Sequence, residues 1–305
     1  MSNIKDIYVS GLGAIGSTYA GKLFDMDPGC VTVIASEERI RRYEERGVII
    51  NGKPYPFNYI RPGEGNATAD LIIIAVKQHH LEQSISDISR FTGSNTIIMS
   101  LLNGISSEEI IGRTYGMDKM LYAFCVGTDS VREGTAVNYS NIGRIIFGEK
   151  TNKELSGKVS AVKELFEKAG IPHAVPEYMI REQWWKFMMN VGINQVSAIL
   201  KAPYGVFQKV KEARDLMLMA SKEVILISEK AGINLNEEDI KKYMSIIDTL
   251  APEGKTSMLQ DVEALRKTEV EIFAGTVMEL GIKHGVETTV NNTLYKMIKT
   301  LESTY

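Results

Sequence analysis

The sequence predicts an α/β fold, with a parallel sheet in its first half and helices alone in its second. Up to about residue 175, apolar runs such as "VTVIA" (31–35) and "DLIIIAV" (70–76) alternate with helical patterns. Continuous apolar runs suit parallel strands buried on both faces. From Glu177 onward strand patterning stops, and helical periodicity covers 177–200, 209–231, 236–248 and 257–302 with breaks. The 305 residues suffice for two domains, read as 1–176 and 177–305 with the boundary near Pro176.

The first strand opens the motif "IYVSGLGAIGSTYAGKLF" (7–24). An apolar strand, then Gly11, Gly13 and Gly16, then a helix is the context a dinucleotide-binding Rossmann unit requires. Gly11 allows the tight turn, Gly13 lets a pyrophosphate approach the backbone, and Gly16 lets helix and strand pack closely. Leu12, Ala14 and Ile15 complete the turn, and the helix N-terminus offers free N–H groups to phosphates. The residues after "VTVIA" meet the adenosine ribose in such a unit. Here they are Ser36, Glu37, Glu38 and Arg39, followed by Arg41 and Arg42. Ser36 with Arg39 or Arg42 suits a 2′-phosphate, whereas Glu37 or Glu38 suits a ribose hydroxyl or solvent.

"DLIIIAVKQHH" (70–80) ends its strand before Lys77, and "NTIIMSLLNGISSEEI" (95–110) ends its strand before Asn103-Gly104 and a helix with an acidic first turn. Both polar residues lie past strand carboxyl ends, the ligand edge of an open α/β sheet. Residues 120–148 read as short strands forming an antiparallel extension of that sheet. In "KELSGKVSAVKELFEKAG" (153–170), Leu155, Val159, Val162 and Phe166 have helical spacing and Gly170 is the stop. "IPHAV" (171–175) reads as a last strand.

In the helical half, "WWKFMMNVGINQ" (184–195) sets Lys186, Asn190 and Asn194 on one face of an otherwise apolar helix. A buried amide without partners costs about 2–7 kcal/mol, and a lone ammonium more. These groups therefore satisfy one another or meet a polar ligand. A cleft between two domains is the usual place for one. "GKTS" (254–257) imitates a phosphate-binding loop, but Thr249 stands where the motif needs glycine.

Composition is that of an ordinary folded chain, 44% hydrophobic and 24% charged. A net charge of −3 and a pI near 5.9 argue against a general nucleic-acid binder. Cys30 and Cys125, far apart, suggest no disulfide framework, and adjacent His79 and His80 do not have metal-ligand spacing. The start lacks a signal-peptide pattern and no stretch reaches membrane-span length, so the expected location is the cytoplasm, with no membrane or nucleic-acid partner.

The glycine motif, Lys77, "LLNG" (101–104), "WWKFMMNVGIN" (184–194) and "SMLQDVEALRKTEVEIFAG" (257–275) occur in that order. Together they resemble the ketopantoate reductase (2-dehydropantoate 2-reductase) family over nearly the whole chain. The resemblance implies a Rossmann-type domain followed by a helical substrate domain, and reduction of a 2-keto acid by a nicotinamide cofactor, usually NADPH. It implies Lys186 as general acid, Glu269 beside the reacting centre, and Asn103, Asn190, Asn194 and Ser257 as substrate ligands. Asn103 and Lys77 would also contact the cofactor. Ser257 is equally placed to cap a helix, and only the family spacing selects Glu269 over Glu271. Two positions depart from the family: Ser36 stands where many members have arginine, leaving NAD open, and Tyr204 stands where some have a substrate-side asparagine. Other expectations are a reductase of another branched or aromatic 2-keto acid, or a non-catalytic nucleotide sensor. A homodimer is compatible with the sequence.

Overall fold

The computed structural model describes residues 4–305. They form two compact units, one up to Leu102 together with Ser107–Met179, the other Asn103–Ser106 with Ile180–Tyr305.

The first unit alternates strand and helix: β1 (Ile7–Ser10), α1 (Ala14–Met26), β2 (Val31–Ile34) and α2 (Glu37–Arg46). Short strands β3 (Ile49–Ile50), β4 (Lys53–Pro54) and β5 (Asn58–Ile60) follow, then β6 (Leu71–Ile74), α3 (Leu81–Asp87), β7 (Ile97–Ser100) and α4 (Ser107–Tyr115). The unit ends with β8 (Met120–Val126), β9 (Val131–Glu133), β10 (Ala136–Asn138), β11 (Arg144–Gly148), α5 (Gly157–Lys168) and β12 (His173–Ala174). The main sheet has the order β12-β11-β8-β7-β6-β1-β2-β5. Its middle strands are buried on both faces: Ile7, Val9, Leu71 and Ile73 join one apolar cluster, while Tyr8, Ile72 and Ile74 join another. That double burial is why these strands read as unbroken apolar runs rather than as alternating ones.

The strand order reverses between β1 and β6, where Ser10 lies beside Ile74. Ligands of open α/β sheets bind outside the carboxyl ends of the strands at such a point. The glycine turn is there: Gly11 has φ +103°, and a Cβ on it would lie 2.7 Å from Val76 Cγ1. A Cβ on Gly16 would lie 1.9 Å from the Gly11 carbonyl oxygen.

Residues 120–148 differ from the expected antiparallel extension. β8 runs parallel to β7, and only β11 adds antiparallel to β8. β9 and β10 leave the sheet and join β3 and β4 in a second, four-stranded one. Burial explains the split: β8 is buried over all but its last residue, whereas the three-residue β9 and β10 are largely exposed or half-buried. Leu155 is exposed and precedes its helix, because the Ser156 hydroxyl caps α5 by accepting the Val159 N–H. Gly170, at φ +62°, follows the end of that helix.

The second unit is helical: α6 (Met179–Leu200), α7 (Tyr204–Lys209), α8 (Lys211–Lys230), α9 (Glu237–Thr249), α10 (Ser257–Glu263), α11 (Ala274–His284) and α12 (Thr289–Glu302). α7 falls almost wholly within 201–208, which the helical periodicity of the sequence leaves unassigned. One apolar cluster holds this unit together, with Phe187, Val191 and Val196 of α6 against residues such as Met217 and Val224 of α8 and Phe273. Among the described residues no helix is long and apolar enough to cross a membrane.

Gly16→Ala is expected to lower the stability of the first unit by at least the roughly 1–3 kcal/mol typical of overpacking, since backbone rather than a movable side chain blocks the new methyl. It should also weaken dinucleotide binding. Urea unfolding and a fluorescence titration with reduced dinucleotide check both effects.

Candidate functional site

The glycine turn fits a dinucleotide. Gly13 caps α1 without any side chain occupying the helix entrance, so the first-turn N–H groups keep their capacity for phosphate oxygens. The space a Cβ would need at Gly11 is filled by the backbone and side chain of Ala75 and Val76, which draws the turn onto the end of β6. Leu12 is buried, while Gly13, Ala14 and Ile15 are half-buried. Lys77 follows β6 and caps the 3-10 turn Gln78–His80.

At the end of β2 the Ser36 hydroxyl caps α2, accepting the Arg39 N–H at 3.4 Å. Glu37 takes two cations: Arg41 at 3.5 Å and Arg61, just past β5, at 3.3 Å. Arg61 also binds Glu64 at 2.6 Å. Burial, then the nearby His79 and Arg39 charges, holds the His80 imidazole below its ordinary pKa, so Arg39 and the turn after β6 share a neighbourhood. The Arg42 guanidinium lies 5.8 Å from the Tyr43 ring, and its Nε is buried without a partner. Sequence reasoning did not single out Arg61. A cation followed by Pro-Gly directly after a short strand was the available signal.

In the second unit, α6 is buried nearly all round. Trp184, Trp185, Phe187, Met188, Val191, Ile193 and Val196 are buried, and Lys186 and Asn190 are half-buried. Lys186 Nζ donates to Asn103 Oδ1 at 3.1 Å. Asn103 Nδ2 donates to Glu269 Oε2 at 3.2 Å. One amide thus bridges an ammonium and a carboxylate, its oxygen toward the cation and its nitrogen toward the anion. This orientation follows from charge alone. Two turns along the helix from Lys186, Asn194 Oδ1 accepts the Ser257 hydroxyl at 3.3 Å. The Nδ2 groups of Asn190 and Asn194 have no hydrogen-bond partner among the described residues.

The cap of α10 is Thr256, whose hydroxyl accepts the Leu259 N–H at 3.1 Å. Ser257 is therefore not the cap expected as one alternative, and its hydroxyl is turned to Asn194. Thr256 reaches Ser197 on α6 at 3.1 Å, so adjacent residues tie the same loop to two turns of α6. Glu269 and Glu271 have different surroundings. Glu269 is buried beside Asn103, whereas Glu271 pairs with Lys299 at 3.0 Å and Lys267 at 3.7 Å.

Other contacts fix α6 from behind. The Tyr243 hydroxyl donates to the Met189 carbonyl at 3.0 Å, and the Ser221 hydroxyl to the Met188 carbonyl at 3.3 Å. α8 comes this close because residue 192 is glycine: a Cβ there would lie 2.3 Å from Ser221 Oγ and 3.0 Å from the Met217 oxygen. Tyr204, at the start of α7, covers Gly254, where a Cβ would lie 2.9 Å from its ring. Burial raises the pKa of its phenol. Among the described residues no group of three His, Cys, Asp or Glu is arranged to hold a metal ion.

Comparison with protein families assigns both halves. The family model "Ketopantoate reductase PanE/ApbA" matches residues 7–152, and "Ketopantoate reductase PanE/ApbA C terminal" matches residues 178–302. The chain belongs to the ketopantoate reductase family. It is 29% identical to 2-dehydropantoate 2-reductase from Pyrococcus horikoshii, across 97% of each chain. It is 24% identical to the Streptococcus pyogenes serotype M6 enzyme of the same name, across 97% of this chain and 98% of that one. A solved ternary structure of D-mandelate dehydrogenase with NADH and anilino(oxo)acetate shares the fold, with a TM-score of 0.87 at 23% identity, covering 98% of this chain and 99% of that one. The family models thus show the family, and the solved structure shows the fold.

Gly192→Ala is expected to destabilise the second unit by about 1–3 kcal/mol, the range for a methyl forced into a packed contact. Gly275→Ala is the control. Its nearest atoms lie 3.8 Å from the added Cβ, and its stability should be unchanged or slightly higher. Urea unfolding of both variants distinguishes the two outcomes.

Proposed function

We propose that this chain reduces 2-dehydropantoate (ketopantoate) to pantoate with NADPH, in the cytoplasm, as a step toward pantothenate and coenzyme A. The arrangement Lys186–Asn103–Glu269, with the Asn194–Ser257 pair on the same face of α6, carries this reading.

A dinucleotide held by the glycine turn would supply hydride to the ketone carbon, and negative charge would then grow on the ketone oxygen. Lys186 stabilises that oxygen and gives it a proton, so the products are a 2-hydroxy acid and the oxidised cofactor. Asn103 holds the ammonium in place through its oxygen, and Glu269 holds the amide through its nitrogen. The Glu269 carboxylate also keeps negative charge on the side of the amide away from the cation. The Ser257 hydroxyl occupies Asn194 Oδ1, which leaves Asn194 Nδ2 as a donor for a substrate oxygen. Asn190, one helical turn from each, offers both a donor and an acceptor. These groups match a substrate with a carboxylate, a ketone and a terminal hydroxyl. Gly11–Gly16 and Lys77 would hold the dinucleotide, with Asn103 beside its nicotinamide.

Lys186→Ala should lower kcat by at least about 10²-fold, the lower end of general acid catalysis, with cofactor binding retained. A folded variant with near-normal turnover would remove Lys186 from the role. The substrate itself is tested by comparing ketopantoate with 2-keto-3,3-dimethylbutyrate, which lacks the terminal hydroxyl. A site built to bind that hydroxyl rejects the analogue by up to about 10⁴-fold in kcat/KM. Tyr204 favours a second reading, a reductase of bulkier or less polar 2-keto acids, because a desolvated aromatic ring lies where an amide would offer two hydrogen bonds. Equal efficiency on the two acids would select that reading.

The preference for NADPH rests on Arg39 and Arg61 near the end of β2, with Ser36 committed to capping and Glu37 already paired with two arginines. Arginine and phosphate form a strong charge-assisted pair. Arg39→Ala and Arg61→Ala should each weaken NADPH binding about tenfold and leave NADH binding within about twofold, roughly the loss of one such contact. Equal affinity of the parent chain for both cofactors would show that the arginines do not read the phosphate.

A further inference from the structure

Beside the polar stripe of α6 lies a second polar system, enclosed in the core. Gln195 and Asn291 have no solvent exposure, and Glu223 is buried. Gln195 Nε2 donates to Asn291 Oδ1 at 3.0 Å and to the Val191 carbonyl of its own helix at 2.8 Å. Asn291 Nδ2 donates to Glu223 Oε2 at 2.7 Å and to the Ala220 carbonyl of α8 at 3.1 Å. Glu223 also accepts the N–H groups of Val290 and Asn291, at 2.8 and 3.0 Å, in the first turn of α12. A continuous relay therefore links α6, α8 and α12.

We propose that the Glu223–Asn291–Gln195 relay is the positioning device that fixes the rotation of α6 and so aims Lys186, Asn190 and Asn194. Three observations support this. The anchor lies at the stripe: Gln195 follows Asn194 and Val191 follows Asn190, each about 100° round the helix. The Gln195 side chain spans the turn Val191–Gln195, which holds Asn194 and begins directly after Asn190. Second, the relay is directional. Apolar side chains around α6 accept small rotations, because dispersion contacts have no preferred angle, whereas a chain of fixed donors and acceptors does not. Third, stability alone does not account for it. Gln195 Oε1 is buried with no partner, a penalty that a methionine of similar length would not carry. Polar groups retained in a core at such a penalty are a known means of selecting one register among several.

The role of the relay in catalysis rests on the function proposed above, but its role in aiming α6 does not. The test uses Q195M, N291L and the double variant of the full chain. The double variant removes both ends of the Gln195–Asn291 bond and leaves no new orphan between them, so it remains informative if a single variant fails to fold. Crystal structures should show the Lys186–Asn103 and Asn194–Ser257 hydrogen bonds lengthened or lost in the double variant. Turnover should fall about 10-fold or more in kcat, with KM and the dinucleotide Kd within about twofold, because misplacing a reacting group acts on kcat. The loss should be the same in each folded single variant as in the double, since the relay works as one unit. Both hydrogen bonds intact, with kcat unchanged in a folded double variant, would overturn the proposal. So would losses in kcat that add and merely follow the fraction unfolded. A parent chain inactive on every 2-keto acid would instead reject the proposed function, leaving the structural readout to decide the positioning role.

Discussion

An ammonium on a helix buried nearly all round is tolerable only if its neighbours replace water, and much of the second unit is built to that requirement. Lys186 finds an amide oxygen at 3.1 Å, and that amide finds a carboxylate at 3.2 Å. Remove the amide and the ammonium loses one of its hydrogen bonds in a place where desolvating a charge costs more than one ordinary hydrogen bond returns. The helix must therefore sit where a loop from another part of the chain can reach it. Asn103–Ser106 supplies that loop, and it belongs to the helical unit although its flanking residues belong to the first. Gly192 lets α8 approach from one side, and Tyr243 secures a carbonyl of α6 from α9. Polar function on this helix and tight packing behind it are the same constraint seen from two faces.

The first unit obeys a different rule, set by backbone rather than by charge. Its turn works because Gly11, at φ +103°, and Gly16, with a carbonyl oxygen where its Cβ would be, have no side chains. The close approach leaves helix N–H groups bare at the carboxyl edge of the sheet, which is an anion site made from geometry alone. On the reading proposed above, discrimination between cofactors falls to side chains further out. There Glu37 is shared between Arg41 and Arg61, on exposed surfaces where each pair contributes little to stability. Such pairs exchange partners readily, which suits the cofactor-contacting role proposed for these arginines.

Much of this was legible in the sequence because two periodicities and one motif carry it. The buried strands read as apolar runs, the glycine turn as a spacing, and the stripe of α6 as a step of four. What escaped was decided by pairings that no local pattern encodes. β8 reads like any apolar strand, and its direction relative to β7 depends on the connection through α4. Thr256 and Ser257 are equivalent as cap residues by type, and only the approach of Asn194 separates their roles. Arg61 gains meaning from Glu37, 24 positions earlier in the chain, through the parallel pairing of β2 with β5. Glu269 and Glu271 differ by one strand-like step, yet one is buried by an amide and the other stands among lysines.

The bridging amide also explains why asparagine, rather than a second charged residue, suits position 103. A carboxylate there would bind Lys186 more strongly but would face Glu269 at hydrogen-bond distance, and two buried carboxylates so close do not both stay ionised. A hydroxyl has one proton and no fixed direction, so it sets neither neighbour. The amide alone presents an acceptor to the cation and a donor to the anion in one plane, with no charge of its own to desolvate. It transmits orientation from Glu269 to Lys186. The positive φ of Gly104, +91°, turns the chain immediately after it, so the amide is presented at the tip of the loop and its backbone turns away.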